Sequence, residues 1–87
     1  MLELSYKTMY FLYILLCKDK SLYTGITTDL KKRFQKHLEG KGGAYTRSHK
    51  VSKILYTEKL NTRSDALKRE LEIKKLSRKE KLILINK

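Results

Sequence analysis

The chain has 87 residues, and its 21 Lys and Arg outnumber nine Asp and Glu, giving a formal net charge of +12. That excess points to a polyanionic partner, nucleic acid first and an anionic membrane surface second. A single cysteine, Cys17, excludes an internal disulfide and any zinc site that needs two thiolates, and no segment has the ~20 apolar residues of a transmembrane helix.

The chain begins with residues 1–8, which lack a clear period and are predicted to be a loose leader to one domain over residues 9–87. Residues 9–17 are an apolar run rich in β-formers and predict a central strand. Residues 21–27 alternate and predict a second strand, paired with the first as a hairpin. The apolar run is short, follows Glu3 and lacks a cleavage pattern, so we expect a cytoplasmic protein.

The length of the hairpin turn decides whether Tyr13 and Tyr23 share a face of the sheet. A two-residue turn would place them on opposite faces. A three-residue turn at residues 18–20 would place both phenols on one side, with Tyr13 opposite Gly25. Gly25 would then leave space above the sheet where a phosphate could approach, although a β-bulge explains a strand glycine equally well.

The next segment predicts a helix, with Thr28 as N-cap and Gly40 just past its end. Leu30, Phe34 and Leu38 recur on one face of this helix. Arg33 and His37, one turn apart, flank that stripe and are more often surface or boundary residues than site residues.

Residues 41–50 form a basic, glycine-containing segment predicted as a loop, and residues 51–60 predict a third strand. Ser64 is the predicted cap of a second helix over residues 65–76. Ser77 and Glu80 form a capping box that starts a third helix. The predicted fold is α+β, a three-stranded antiparallel sheet flanked by helices in the order β-β-α-β-α-α.

Glu70 is predicted to point toward the protein interior, near the middle of a helical apolar arc of Ala66, Leu67, Leu71 and Ile73. Three roles remain open from this stretch alone. Glu70 can pair with Lys74 one turn later, can hydrogen-bond buried backbone, or can hold a metal ion.

These residues together resemble the GIY-YIG nuclease family, and most of all its small stand-alone bacterial members. The triplet FLY at 11–13, the triplet YTG at 23–25, Arg33 and His37 on the next helix, and Glu70 on a later helix match its motifs. The likeness extends from about Tyr10 to about Leu82. It departs where Phe-Leu-Tyr replaces Gly-Ile-Tyr and where Thr24 replaces the usual isoleucine.

The resemblance implies hydrolysis of a phosphodiester in nucleic acid with one divalent cation, Mg²⁺ or Mn²⁺. It implies Glu70 as the metal ligand. Side-chain chemistry then suggests Arg33 on the phosphate and Tyr13 as general base, with the positive charges of Arg33 and the metal ion favouring its phenolate. In this scheme His37 relays the proton, and Tyr23 positions water or phosphate.

The other basic residues are predicted to bind the nucleic-acid backbone, and Tyr45 to stack on an unpaired base. The predicted set is Gly25, Lys31, Lys32, Lys36, Lys41, Tyr45, Arg47, His49 and Lys50. Structured or damaged DNA is expected rather than RNA. The main alternative is a nucleic-acid-binding module of the same fold with weak or no catalysis. A structural basic protein, with Glu70 and Lys74 as an ordinary ion pair, is the third possibility.

Overall fold

The computed structural model describes residues 8–87. The predicted leader, apart from Thr8, lies outside the described residues. Seven elements follow in chain order: β1 (Tyr10–Cys17), β2 (Leu22–Thr27), α1 (Leu30–Leu38), α2 (Ala44–His49), β3 (Val51–Leu60), α3 (Arg63–Lys74) and α4 (Arg78–Ile85). Within these residues, no helix combines the length and the apolar character needed to cross a bilayer.

The three strands form one antiparallel sheet in the order β2-β1-β3, flanked by the helices. The predicted α+β class and the predicted order of strands and longer helices are confirmed. The predicted loop over residues 41–50 is wrong in part, because α2 occupies residues 44–49. This short helix has six residues and lacks the periodic apolar stripe that would have indicated it in the sequence.

The hairpin has the three-residue turn. Tyr13 pairs with Gly25 and Leu15 with Tyr23 in the β1–β2 register, and the Cys17 amide donates to the Ser21 carbonyl at 2.9 Å. Lys20 takes the left-handed conformation, φ 73°, that closes the turn. Both phenols therefore lie on one face of the sheet, as predicted.

The sheet separates two apolar clusters. On the face of Tyr13, Leu15 and Cys17 pack with Leu30 and Phe34 of α1. On the opposite face, Leu12 and Ile14 pack with Ile73 of α3 and with Leu84 and Ile85 of α4. The central strand β1 is buried on both faces, which explains its continuous apolar sequence.

Two of the predicted helix caps need correction. The N-cap of α1 is Asp29, not Thr28, and its side chain accepts from the Lys32 amide. The N-cap of α3 is Thr62, not Ser64, so this helix begins at residue 63. The Ser77–Glu80 capping box of α4 is confirmed, and so is the left-handed Gly40 after α1.

The buried face of α3 is narrower than predicted. Ala66 and Ile73 are fully buried, but Leu67 and Leu71 are exposed. Arg69 is half-buried and donates two hydrogen bonds of 2.8 Å to Glu58 on β3. This bidentate pair fixes α3 against the sheet, with Glu70 at the edge of the buried face rather than at the centre of an apolar arc.

Gly25 is required because the Tyr13 ring covers it. A Cβ at residue 25 would overlap the Tyr13 phenol, and the β1–β2 register runs through this pair without a bulge. The expected β-bulge and the expected phosphate approach are therefore both wrong at Gly25: the space is filled by Tyr13, and the glycine is buried.

We expect Gly25→Ala to lower the free energy of unfolding by about 1–3 kcal/mol, because the added methyl group displaces the Tyr13 ring. Urea unfolding measures this change. In a Tyr13→Ala background the same substitution should cost almost nothing, since the obstructing ring is gone. An equal loss in both backgrounds would contradict the steric explanation.

Thr24 has a buried hydroxyl that makes no hydrogen bond within residues 8–87. Its side chain lies on the sheet face of its partner Ile14, toward α3. We expect Thr24→Val to be neutral or to raise the free energy of unfolding by about 1 kcal/mol, because the desolvated hydroxyl is removed without a change of shape. Thr46→Val is the matched control in urea unfolding and should destabilise, because the Thr46 hydroxyl is hydrogen-bonded.

Candidate active site

Four predicted site residues meet above one face of the sheet. The strands β1 and β2 supply Tyr13 and Tyr23, and two successive turns of α1 supply Arg33 and His37. The Tyr13 and Tyr23 ring centroids are 6.4 Å apart, and the Tyr23 and His37 centroids are 5.3 Å apart. Residues separated by up to 24 positions are thus brought into one cluster.

Hydrogen bonds connect this cluster through Tyr13. Its hydroxyl lies 2.9 Å from His37 Nε2, and Arg33 Nε donates to it at 3.5 Å, the outer limit of a hydrogen bond. Tyr13 and His37 are 2% and 1% exposed, whereas Tyr23 and Arg33 are half-buried. Arg33 and Tyr23 therefore form the outer layer of the cluster.

Two residues outside the predicted set support the cluster. Gly42 precedes α2, and Thr46 lies within it. The Gly42 carbonyl accepts from Arg33 Nη2 at 2.7 Å, and Thr46 Oγ1 lies 2.7 Å from His37 Nδ1. A Cβ at residue 42 would overlap the imidazole of His37. The glycine pair in the basic segment was the sequence signal for this close approach, but it does not identify the partner.

The protein environment of Tyr13 alone does not favour the phenolate that Arg33 and a bound metal ion are expected to stabilise. Burial raises the pKa of Tyr13, and this effect outweighs the hydrogen bond from Arg33, which lowers it. The buried phenol therefore keeps its proton in this state. Burial, aided by the Arg33 charge, lowers the pKa of His37, so its imidazole is neutral and able to accept a proton.

Glu70 lies on α3, and the hydrogen bonds that join the cluster do not include it. Its carboxylate pairs with Lys74 at 3.3 Å, and its side chain is 20% exposed against 52% for Lys74. The Glu70 charge also contributes to the raised pKa of Tyr13, after burial and the neighbouring phenol of Tyr23. The structure thus contains the ordinary i,i+4 ion pair, and the Glu70 charge acts on Tyr13 more weakly than burial does.

Four of the basic residues predicted to bind nucleic acid line two concave surfaces. One groove beside Arg33 is lined by Lys32 and Lys36, together with residues 27–29. A second cavity beside His37 and Thr46 is lined by Arg47, Lys50 and Lys18, the last of which was not predicted. Lys31 is exposed on α1 near Lys32, and Lys41 is exposed before α2.

Tyr45 and His49 of α2 form an exposed stack. Their rings lie 3.9 Å apart and 5° from parallel, and Tyr45 also stacks on Tyr23 at 5.7 Å. His49 Nδ1 is 2.9 Å from the Tyr45 carbonyl, and Nε2 is 3.8 Å from an Asp19 oxygen. The predicted base-stacking residue is therefore already stacked within the protein, although 39% of its surface is exposed.

We expect acid to destabilise the fold in two separate pH ranges. The unfolded state takes up the His37 proton near the ordinary value of 6.5 and the folded state at lower pH, so stability falls as the pH drops from about 6.5. The Arg69 hydrogen bonds lower the pKa of Glu58 from 4.5, so a second loss begins near that value.

Urea unfolding across pH 3–8 measures both ranges. The His37→Asn variant should lose the fall in stability that begins near pH 6.5 and keep the one that begins near pH 4.5. Glu58→Gln should do the reverse. A flat profile between about pH 6.5 and 5 in the unsubstituted protein would contradict a buried neutral imidazole.

Comparison with known proteins identifies the family of this chain. The model of the GIY-YIG catalytic domain matches residues 9–83. A UPF0213 protein of Cupriavidus necator is 49% identical over 78 residues, which cover 90% of this chain and 85% of that protein. A UPF0213 protein of Staphylococcus saprophyticus is 48% identical over 77 residues, covering 88% of this chain and 94% of its own length.

Two solution NMR structures have the same fold. A UPF0213 protein of Bacillus halodurans superposes with a TM-score of 0.59 at 41% identity, covering 90% of this chain and 83% of that one. A protein of E. faecalis gives a TM-score of 0.61 at 38% identity, covering 90% and 84%. The family match over most of the residues, the high identity to small proteins of similar length and the Tyr13–Tyr23–Arg33–His37 cluster lead to one conclusion: this chain belongs to the GIY-YIG catalytic domain family.

Proposed function

We propose that this protein is a divalent-metal-dependent endonuclease that hydrolyses phosphodiester bonds of structured or damaged DNA. Domains of the GIY-YIG family are generally nucleases, which gives the reaction class. The observation that supports catalysis in this chain is the hydrogen-bonded contact of Tyr13, His37 and Arg33 beneath Tyr23. The cluster buries a neutral imidazole against a phenol, a combination of burial and shifted pKa values that is common at functional sites.

Tyr13 and His37 act together as the base. Tyr13 receives the proton of the attacking water while its own proton passes to His37 Nε2, 2.9 Å away. This proton transfer does not need a phenolate formed in advance, so it is compatible with the raised pKa of Tyr13. The lowered pKa of His37 keeps the acceptor nitrogen free at neutral pH.

Arg33 binds the scissile phosphate and stabilises the charge that grows on its oxygens. The guanidinium now lies over the Tyr13 hydroxyl, but the 3.5 Å contact is weak and readily exchanged for a phosphate oxygen. Its movement toward the phosphate would open the buried Tyr13 oxygen to the attacking water. Tyr23, in the outer layer, positions that water or the phosphate.

Glu70 is the residue that would hold the metal ion. Residues 8–87 contain no group of three or more His, Cys, Asp or Glu side chains that could form a closed site. A lone, mostly buried carboxylate fits Mg²⁺ or Mn²⁺, because such ions can keep several waters and take further oxygens from the substrate phosphate. When bound, the ion would neutralise phosphate charge and stabilise the leaving oxygen.

The two basic concave surfaces are proposed to hold the DNA backbone on either side of this centre. Lys32 and Lys36 share a groove with Arg33, while Arg47 and Lys50 line the cavity beside His37. Phosphate contacts of this kind dominate affinity and weaken steeply with salt. Exposed Lys31 and Lys41 are proposed to extend the same basic surface.

The test is cleavage of end-labelled single-stranded, flapped, branched and fully paired DNA of one sequence, with Mg²⁺, Mn²⁺ or EDTA. We expect cleavage that requires the metal and favours the non-duplex substrates. RNA of the same structures should be cut more slowly. Absence of cleavage with every metal and substrate, despite salt-sensitive binding, would reject the enzymatic function.

The second candidate is a nucleic-acid-binding module without catalysis, and the Glu70–Lys74 pair is the observation that favours it. If that pair is only structural, Lys74→Gln should leave metal binding and cleavage unchanged. If Glu70 holds the metal, removing the competing ammonium group should lower the metal concentration needed for half-maximal cleavage. Lys75→Gln, on the adjacent exposed residue, is the matched control for loss of one positive charge.

A further inference from the structure

Thr46 is a buried residue whose hydroxyl faces His37, a candidate catalytic residue. It lies in α2, is 1% exposed, and places Oγ1 2.7 Å from His37 Nδ1. The other nitrogen of the same ring, Nε2, lies 2.9 Å from the Tyr13 hydroxyl. Three side chains from three elements therefore form a continuous hydrogen-bonded line, Tyr13–His37–Thr46.

The direction of these bonds follows from counting protons. Arg33 is always a donor, so it uses an acceptor position of the Tyr13 oxygen. The neutral phenol has one hydrogen, and within residues 8–87 its other hydrogen-bond partner is His37 Nε2. Because Tyr13 is 2% exposed, its hydrogen needs an acceptor within the protein, and we place it on Nε2, which then carries no hydrogen. A neutral imidazole then carries its proton on Nδ1, and Thr46 Oγ1 accepts it.

We propose that Thr46 is a positioning residue, which selects the Nδ1–H tautomer of His37 and so keeps Nε2 free to receive the Tyr13 proton. Its part in catalysis rests on the proposed nuclease function, but the tautomer itself does not. Free histidine favours the Nε2–H tautomer in water, so the site needs a partner for Nδ1–H. Gly42, packed against the ring, helps to hold the orientation that Thr46 selects.

Loss of the Thr46 hydroxyl would reverse the direction of the hydrogen bond between Tyr13 and His37. A buried Nδ1–H without an acceptor is costly, and moving the proton to Nε2 removes that cost. His37 would then donate to Tyr13 and could no longer accept from it. Thr46→Val keeps the shape and removes the acceptor, whereas Thr46→Ser keeps the acceptor, so the two variants separate hydrogen bonding from packing.

The decisive measurement is the tautomer of His37 by two-dimensional ¹H–¹⁵N correlation of the imidazole ring at pH 8 without DNA. The chain has two histidines, and His49→Gln assigns their signals. We expect a protonated Nδ1 in the unsubstituted protein and in Thr46→Ser, and a protonated Nε2 in Thr46→Val. A protonated Nε2 in the unsubstituted protein, or an unchanged tautomer in Thr46→Val, overturns the proposal. If Thr46→Val does not fold, the spectra of the unsubstituted protein and of Thr46→Ser still test the proposed Nδ1–H tautomer.

Single-turnover cleavage at saturating DNA tests the consequence. We expect Thr46→Val to lower the rate constant about 10- to 100-fold with little change in DNA affinity, and Thr46→Ser to retain most of the rate. Full activity of Thr46→Val would overturn the positioning role. If the unsubstituted protein cleaves nothing, the proposed nuclease function and the catalytic role of Thr46 both fail, while the NMR spectra still decide the tautomer.

Discussion

Replacing Glu70 with Gln is expected to reduce metal-dependent cleavage by about 1,000-fold, with little change in DNA affinity or stability. Gln keeps the size of the side chain but lacks the charged oxygen ligand that Mg²⁺ requires. The lost Glu70–Lys74 pair should cost no more than about 0.5 kcal/mol, because Lys74 is 52% exposed and such helix pairs are weak.

Glu72→Gln provides the matched control, since it removes the same charge two residues away on the same helix. The Glu72 side chain is 64% exposed and pairs with Arg69 rather than Lys74. Cleavage should remain within a few-fold for this variant. Binding of Mn²⁺, followed by calorimetry without DNA, should weaken in Glu70→Gln alone. Equal cleavage by both variants would assign Glu70 to the structural ion pair.

The hairpin was predictable because its geometry is local. The three-residue turn and the alternation of strand side chains determine that Tyr13 and Tyr23 share a face, and the register confirms it. The capping box at Ser77 and Glu80 was predictable for the same reason. The N-caps Asp29 and Thr62 were missed, because neighbouring hydroxyl and carboxyl side chains are equally suitable caps.

The support of the site was not predictable, because it depends on contacts between distant elements. Thr46 lies in a segment that resembles a loop, and only the folded chain brings its hydroxyl to His37. The orientation of α3 was also not predictable from the pattern of apolar residues: Arg69 pairs with Glu58 of the sheet, whereas Leu67 is exposed. The burial of Tyr13, which opposes the expected phenolate, could not be deduced from the neighbouring charges alone.

The second large effect is expected for Tyr13→Phe, which should reduce cleavage about 100- to 10,000-fold. The substitution removes one oxygen and keeps the ring that covers Gly25, so packing is preserved. The hydrogen bond to His37 is lost, and the free energy of unfolding should fall by about 1 kcal/mol. Single-turnover cleavage at saturating DNA, beside DNA binding and urea unfolding, separates the chemical defect from a folding defect.

Tyr10→Phe is the control, because it removes a phenol hydroxyl from the same strand at a position outside the cluster. Its cleavage rate should match that of the unsubstituted protein. Tyr23→Phe should have a smaller effect than Tyr13→Phe, since Tyr23 lies in the outer layer. Among the hydrogen bonds of residues 8–87, none joins Tyr23 to His37, and the two rings are only in edge contact. If Tyr13→Phe retains full activity while Tyr23→Phe is inactive, Tyr23 is the base. The buried Tyr13–His37 pair would then serve to hold Arg33 and the fold rather than to transfer a proton.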